Sequence, residues 1–530
     1  VDAAQTAIHT KLKKVREKEG LVLPAPPNLR STVMERDGTA GPFVLRNYQL
    51  QMVVHLLALR RFVVGDDTGL GKTIETIVAL CHLWAKDPDK KVVVLTKKSA
   101  VPQWMSEFEK FTQGVNVLVA KGNPQKRGAV QDEWESSVGP TVLIQGYSSA
   151  CNDFSRLQHW ADYVLVMDEV TVCKNPSTRT HKICRHFAAN ADRVWGLTAT
   201  LIKNSLMEGY GIYRVVVPEL FRMSTSAFMQ NFCILRMQRV ANGRQIPVVV
   251  GYRKKDVDRF REAIDLYYLG RPKHQVATEL PLLTTKDVRV GLTTFQKEKY
   301  QEALEGLLQM GDGDERETTQ LTAITYCQEI VNHPALIGFE NYGSEKLDAL
   351  CALLTEGGDF ADEKVIVFSR FKKMVNTAIP VLEKLGIPCV RVTGDENEDQ
   401  RQAAMAAFQN PSSETKVVFI TMAGGDAINL QAAKAIIFYD TPWSAGDYLQ
   451  ILGRMIRIGS NHDRVYAVHL VCRDSVDERV QEVRRKKMRL IEAVLGERVR
   501  GDKGKDIVYA SGSEVRDIFD ALVSDARRNG

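Results

Sequence analysis

The run DDTGLGKT, at 66–73, stands between an apolar stretch, FVVG at 62–65, and the helix-like IETIVALCHLW that begins at Ile74. Strand before and helix after is the setting in which a glycine-rich loop cradles phosphates. Thr68, Gly69, Leu70, Gly71, Lys72 and Thr73 are therefore the candidate nucleotide-binding residues. Gly69 and Gly71 let backbone N–H groups approach phosphate oxygens, and the helix N-terminus favours negative charge. Lys72 suits neutralisation of the β and γ phosphates, and the Thr73 hydroxyl suits a Mg2+ ion. Asp66 occupies the position where the strict pattern has its first glycine. Only the second half of such a loop wraps the phosphates, so ATP with Mg2+ remains the expected ligand pair.

A second stretch, YVLVMDEVT, ends a buried-looking strand with Asp168 and Glu169, at the strand end where ligands of open α/β sheets collect. Asp168 is the candidate Mg2+ ligand and Glu169 the candidate general base for an attacking water. A third, DYLQILGRMIRIGS, spaces Gln450, Arg454 and Arg457 on one face of a helix. Arg454 and Arg457 are candidate catalytic arginines that would stabilise the charge of phosphoryl transfer. On a separate domain they would make hydrolysis depend on closing a cleft.

Short apolar runs alternating with helix-like text must position these groups. FVVG, VVVLT (92–96), TVLIQGY (141–147), YVLVMDE (163–169) and RVWGLTAT (193–200) form one series. KVIVFS (364–369), PCVRVTG (388–394), KVVFIT (416–421), AIIFYD (435–440) and VYAVHLV (465–471) form another. Such spacing predicts two α/β domains built on parallel sheets. The text at 201–343 lacks that rhythm and reads as mostly helical insertions and a linker. Residues 1–43 are polar and end in proline- and glycine-rich text, the look of an appendage or tether. The expected division is an extension at 1–43, a first lobe at 44–214, insertions and linker at 215–343, a second lobe at 344–475, and a C-terminal helical brace and tail at 476–530.

At 530 residues the chain exceeds the length at which single cores stop growing, and its net charge of +6 is a mild basic bias compatible with nucleic acid. Nine cysteines without one C-x-x-C pair argue for free thiols in a reducing compartment and against a structural metal. With neither a secretory segment nor an apolar membrane span, an intracellular protein with no membrane contact is expected, in the cytoplasm or nucleoid of a prokaryote or virus or the nucleus of a eukaryote. Val1 in place of Met suggests that the natural start is missing.

These motifs, in this order, resemble the Swi/Snf family of double-stranded DNA translocases within the superfamily-two helicase-like motors, from about Leu45 to about Lys487. LRNYQL places Gln49 at the family's adenine-reading glutamine, and DDTGLGKT is similar to the family's D-E-M-G-L-G-K-T, which itself starts with Asp. VVVLTKKSAVPQWMSEFEKF, LTATLIKNSLMEGYGIYRVVVPELF, KVIVFSRFKKM, VRVTGDENEDQRQAAMAAF, FITMAGGDAINLQAA and YDTPWSAGDYLQILGRMIRIG continue the match. YYLGRPKHQVATELP resembles L-R-R-x-K-x-x-V-x-x-x-L-P, with Gly270 for the first arginine, and the stretch before it resembles the small fork-remodelling and annealing branch. The resemblance implies two RecA-like parallel-sheet lobes and an ATP-dependent motor on double-stranded or branched DNA. That motor is expected to act as a monomer, recruited by a protein partner. Backbone contacts are expected from Lys97, Lys98, Tyr147, Ser148, Ser369, Arg370 and Thr421, and in DERVQEVRRKKMRLIEAVL the basic cluster at 484–489 is expected to brace rather than to bind DNA.

Departures fall on coupling rather than on phosphate contacts: Thr171 ends the D-E-x-x box, Leu197 to Leu201 read LTATL, and Asp426 and Ala427 replace family residues. Two rival readings follow. LTAT leans toward a strand-unwinding DNA or RNA helicase. Thr171 and Asp426 suit a nucleotide-gated protein that clamps DNA or a polymerase with weak turnover. No bromodomain-like, chromodomain-like or DNA-slide module fits after the motor, so a nucleosome remodeller acting alone is not expected.

Overall fold

The computed structural model describes residues 3–34, 40–239, 244–276, 280–306, 308, 310, 320–422, 428, 430–456, 460, 462–495, 508–510 and 522–523. The chain divides into two compact units, one of 1–235, 252–278 and 492–508, the other of 236–251, 279–491 and 509–530.

In the first unit, seven strands form one parallel sheet: β1 (Arg61–Val64), β2 (Val92–Thr96), β3 (Asn116–Ala120), β4 (Thr141–Gly146), β5 (Val164–Asp168), β6 (Arg193–Leu197) and β7 (Tyr268–Leu269), in the order β7-β1-β6-β5-β2-β4-β3. Every residue of β2 is buried, as continuous apolar runs require in a sheet covered on both faces. Phe62, Val64, Val94, Val164, Val166, Trp195 and Leu197 pack with Ile77, Leu80 and Trp84 of the helix Lys72–Trp84. Each large apolar side chain so enclosed contributes about 1.5–3 kcal/mol.

In the second unit, β8 (Leu282–Val290), β9 (Val365–Phe368), β10 (Cys389–Val392), β11 (Val417–Ile420), β12 (Ala435–Phe438) and β13 (Arg464–Cys472) form a parallel sheet in the order β8-β13-β12-β9-β11-β10. The two parallel α/β sheets expected from the apolar runs are present.

Three elements differ from the sequence reading. The 201–343 stretch, read as mostly helical, holds the edge strands β7 and β8 and a further pair of strands at 234–239 and 245–253. β8 carries Thr, Lys, Asp and Arg because an edge strand keeps polar side chains in water, and that removes the apolar signal. β3 also escapes the sequence reading, being only half-buried.

The third difference is at the N-terminus. Within 1–43, read as a tether, a helix spans Ala3–Arg16 and packs by Leu12 on the first unit's core. His9, Lys13 and Arg16 all reach the Asp265 carboxylate, at 2.7, 3.3 and 3.0 Å. Arg16 Nε also donates to His55 Nε2 at 3.3 Å, while His55 Nδ1 lies 2.8 Å from the Gln51 carbonyl. These partners fix a neutral ring with its proton on Nδ1. Burial first, and the Arg16 charge with it, lowers His55 from 6.5 to about 4, against the pull of the Gln51 carbonyl.

A testable consequence is a loss of stability in mild acid. Below about pH 6.5 the unfolded chain takes up a proton that the folded chain refuses until about pH 4. Stability is therefore lost as pH falls through that window, at up to about 1.4 kcal/mol per pH unit. Urea denaturation at pH 7.0 and 5.0 should show a larger fall for the native chain than for His55→Gln; equal falls would contradict the assignment.

Candidate nucleotide site

The glycine-rich loop follows β1 and opens the helix Lys72–Trp84, whose N-cap, Gly71, sits at φ 101°. That left-handed backbone favours glycine, and a Cβ there would stand 2.4 Å from Gln49 Nε2. Lys72 Nζ donates back into the loop, to the carbonyls of Asp66 at 2.7 Å and Asp67 at 3.3 Å. Its ammonium is thus held over the loop. Gln49 Nε2 donates to the Leu70 carbonyl at 3.0 Å while its Oε1 accepts from Arg46 N–H at 2.9 Å. The buried Tyr48 hydroxyl donates to the same Leu70 carbonyl at 2.9 Å. Thr68 and Gly69 complete the loop, and Thr73 stands in the first turn of the helix.

The acidic pair closes the other side. With β6 between β1 and β5, the loop and the end of β5 lie at the carboxyl edge of the same sheet. Thr96 Oγ1, at the end of β2, and Trp104 Nε1 both donate to Asp168 Oδ2, at 2.8 and 2.9 Å. Both bonds fall on one oxygen and leave Oδ1 for a cation, the donor set a hard divalent ion takes. Glu169 follows at φ 51°, strained for a residue with a Cβ, and the Thr171 hydroxyl lies 3.5 Å from its Oε2. Lys72, Thr73, Asp168 and Glu169, far apart in sequence, are therefore carried by one sheet edge.

In the second unit, Gln450 and Arg454 share the helix Ala445–Met455, Gln450 buried and Arg454 half-buried. Arg457, Asp426 and Ala427 lie outside the described residues.

The candidate DNA contacts separate by exposure. Lys98, Ser148 and Arg370 are exposed and Lys97 is half-buried. Three expectations need correction. Tyr147 is buried and donates its hydroxyl to the Asp168 carbonyl at 2.8 Å, and burial raises its phenol well above the usual range. Ser369 is buried, with its hydroxyl committed to Asp440 Oδ2. Thr421 is buried too. None of the three has more than 7% of its surface open to a sugar-phosphate backbone.

The basic cluster on the helix Val476–Leu495 also divides. The Arg484 guanidinium is buried 4.2 Å over the Tyr448 ring and Lys487 Nζ donates to the Trp443 carbonyl, whereas Arg485, Lys486 and Arg489 are exposed. Two of its charges therefore fasten this helix within the second unit.

Sequence reasoning missed Arg271. This residue is buried beneath the loop, with Nε and N–H both 3.0 Å from Asp66 Oδ1 and Nη2 on Oδ2. The partners are 205 positions apart, and no local pattern announces the pairing.

Comparison with known proteins gives matches along most of the chain. The model of the SNF2-related domain matches residues 48–336, and that of the helicase conserved C-terminal domain matches 345–459. The chain is 31% identical over 500 residues to a Mus musculus protein named chromodomain-helicase-DNA-binding protein 1-like, covering 89% of this chain and 52% of the relative. It is 27% identical over 480 residues to the Saccharomyces cerevisiae ISWI chromatin-remodeling complex ATPase ISW2, covering 85% and 41%. A Sulfolobus solfataricus SWI2/SNF2 ATPase core solved in complex with dsDNA is 21% identical, with TM-score 0.42, covering 90% of this chain and 100% of that one. The chain spans about half the length of the curated relatives it matches. Because the first family model alone spans more than half of its residues, the chain belongs to the SNF2-related domain family.

Proposed function

We propose that this chain is an ATP-dependent translocase on double-stranded DNA that remodels DNA structures or protein–DNA complexes. The observation that carries the reading is the Lys72 ammonium held over a glycine-rich loop whose sheet edge also presents Asp168 and Glu169. Lys72 and the loop N–H groups bind the triphosphate, and Gln49 reads the base. Thr73 and Asp168 would hold a Mg2+ ion, which would screen the phosphate charge. Glu169 takes the proton of the attacking water. Arg454 and Arg457 supply positive charge during transfer, with Gln450 beside them on the nucleotide, and the cycle of binding and hydrolysis opens and closes the two lobes. Lys97, Lys98, Ser148 and Arg370 contact the DNA backbone, so affinity falls steeply with salt and depends little on sequence.

The test is displacement of a triplex-forming strand from duplex DNA, alongside ATPase stimulation by duplex, single strands and RNA. ATP-driven displacement with duplex as the strongest stimulator supports the proposal. Stimulation by single strands or RNA together with strand separation replaces it with a helicase. Retained ATP binding with duplex-stimulated turnover near zero replaces it with a nucleotide-gated clamp.

A further inference from the structure

The phosphate loop stands on a segment that arrives from 200 residues downstream. After β7, the chain runs beneath the loop and bonds to it from backbone and side chain alike. Asp67 N–H donates to the Arg271 carbonyl at 3.1 Å, and Lys273 N–H donates to Asp67 Oδ2 at 3.0 Å. Arg271 places three of its donor groups on the Asp66 carboxylate. Its remaining nitrogen, Nη1, donates to the Tyr48 carbonyl at 2.6 Å and to Gln51 Oε1 at 3.2 Å, and the guanidinium stacks 5.2 Å from the Tyr48 ring. One side chain therefore ties together the loop, the helix Asn47–Ala58 that carries Gln49, and the returning segment.

Two buried carboxylates face Arg271. Asp66 and Glu75 are fully buried, and Glu75 Oε1 lies 3.8 Å from Arg271 Nη2 with neither of its oxygens hydrogen-bonded. Burial first, and the Asp66 charge after it, raises the Glu75 carboxyl well above the usual carboxylate range. The hydrogen-bonded ion pair at the root of the loop is Asp66 with Arg271. The close approach is made possible by Gly65, where a Cβ would stand 2.3 Å from the Tyr268 ring.

We propose that Arg271 is a positioning residue for nucleotide binding: by gripping the Asp66 side chain it orients the Asp66 and Asp67 carbonyls that store the Lys72 ammonium, and so keeps the loop in its phosphate-binding shape. The proposal rests on the reading of this loop as an ATP site. It also gives the residue at the strict pattern's missing glycine a task, because Asp66 is the handle by which the loop is held. A loop already shaped for its ligand loses less freedom on binding, and that benefit is the same in ground and transition states. Its loss therefore raises KM and leaves kcat in place.

The decisive variant is Arg271→Lys, which keeps a positive charge opposite Asp66 but cannot span Asp66, Tyr48 and Gln51 with one planar fork. With the full chain, at a temperature where circular dichroism shows it folded, KM for ATP and the dissociation constant of a fluorescent ADP analogue should each rise at least about tenfold, with kcat changed by less than about threefold. Asp66→Asn, which preserves shape and removes the charge, should show the same split, and answers the question if the lysine variant does not fold. Unchanged KM and ADP affinity in a folded variant overturn the inference, since a merely structural pair would lower only the melting temperature. Lys72→Ala separates the two layers. If it binds nucleotide as well as the native chain, the ATP-site reading fails. If it loses nucleotide while Arg271→Lys retains it, only the role of Arg271 is lost.

Discussion

Glu169→Gln should lower kcat for ATP by about 10²–10⁴-fold at saturating duplex DNA, the range for loss of a general base, with nucleotide affinity unchanged. The carboxylate stands just past β5, next to Asp168, whose side chain Thr96 and Trp104 lock in place. Its own backbone is held at φ 51°, a conformation that costs about 1–3 kcal/mol outside glycine and persists only where surrounding structure imposes it. Glutamine has the same length, the same Cβ and the same backbone demand, so the exchange leaves that strain and the fold as they are. What it removes is the capacity to accept a proton. The measurement is steady-state ATPase beside titration with a fluorescent ADP analogue. Equal turnover in the two proteins would remove Glu169 from the chemistry, whereas lost nucleotide affinity would mean that the exchange had disturbed the site itself. In the triplex assay the variant should bind DNA and displace nothing.

Much of this arrangement is legible in the sequence because the signals are local. A buried parallel strand is a short apolar run, and VVVLT, YVLVMD and KVVFI announce themselves without help from their neighbours. The loop from Thr68 to Thr73 and the Asp168-Glu169 pair are contiguous, so residue type and spacing suffice to mark them. The losses share the opposite property. β8 hides because an edge strand needs no apolar alternation on its solvent side. The helix Ala3–Arg16 looked like a tether because its attachment lies largely in three basic side chains on one distant carboxylate, Asp265. Arg271 is the clearest case: its residue type was visible, but its partner Asp66 is found only after the chain has folded back. Tyr147 and Ser369 mislead in a related way, since a hydroxyl at a strand end reads as a surface donor until its acceptor, the Asp168 carbonyl or the Asp440 carboxylate, is seen.

The second large effect lies in the other unit, where Lys346→Met should destabilise the fold by about 3–5 kcal/mol, the usual cost of stranding one member of a buried ion pair. Lys346 is 1% exposed, and its ammonium reaches Asp477 Oδ2 at 2.6 Å, Asn332 Oδ1 at 3.0 Å and the Tyr439 carbonyl at 3.1 Å. Those partners come from different elements: Asn332 ends the helix Gln320–Asn332, Tyr439 follows β12, and Asp477 begins the helix Val476–Leu495. Asn332 passes the connection on, its Nδ2 donating to Asp440 Oδ2 at 3.2 Å and its carbonyl accepting from Ser344 and Tyr439 hydroxyls at 2.8 and 2.9 Å. Methionine fills the volume, so the loss comes from charge and hydrogen bonds rather than from a cavity. Asp477 is then left buried with the Cys472 N–H as its remaining donor on Oδ2, at 3.0 Å. Amide hydrogen exchange across β12 and β13 measures the change where it occurs, and a loss below about 1 kcal/mol would show that the cluster relaxes freely, in the range of exposed pairs. Because the whole cluster belongs to the second unit, nucleotide affinity at Lys72 should stay as it was. Adding Asp477→Asn, which keeps an acceptor for Cys472 N–H but carries no charge, should restore more than half of the stability. A double variant no better than the single one would place the cost in the lost Asn332 and Tyr439 bonds instead of in the unpaired carboxylate.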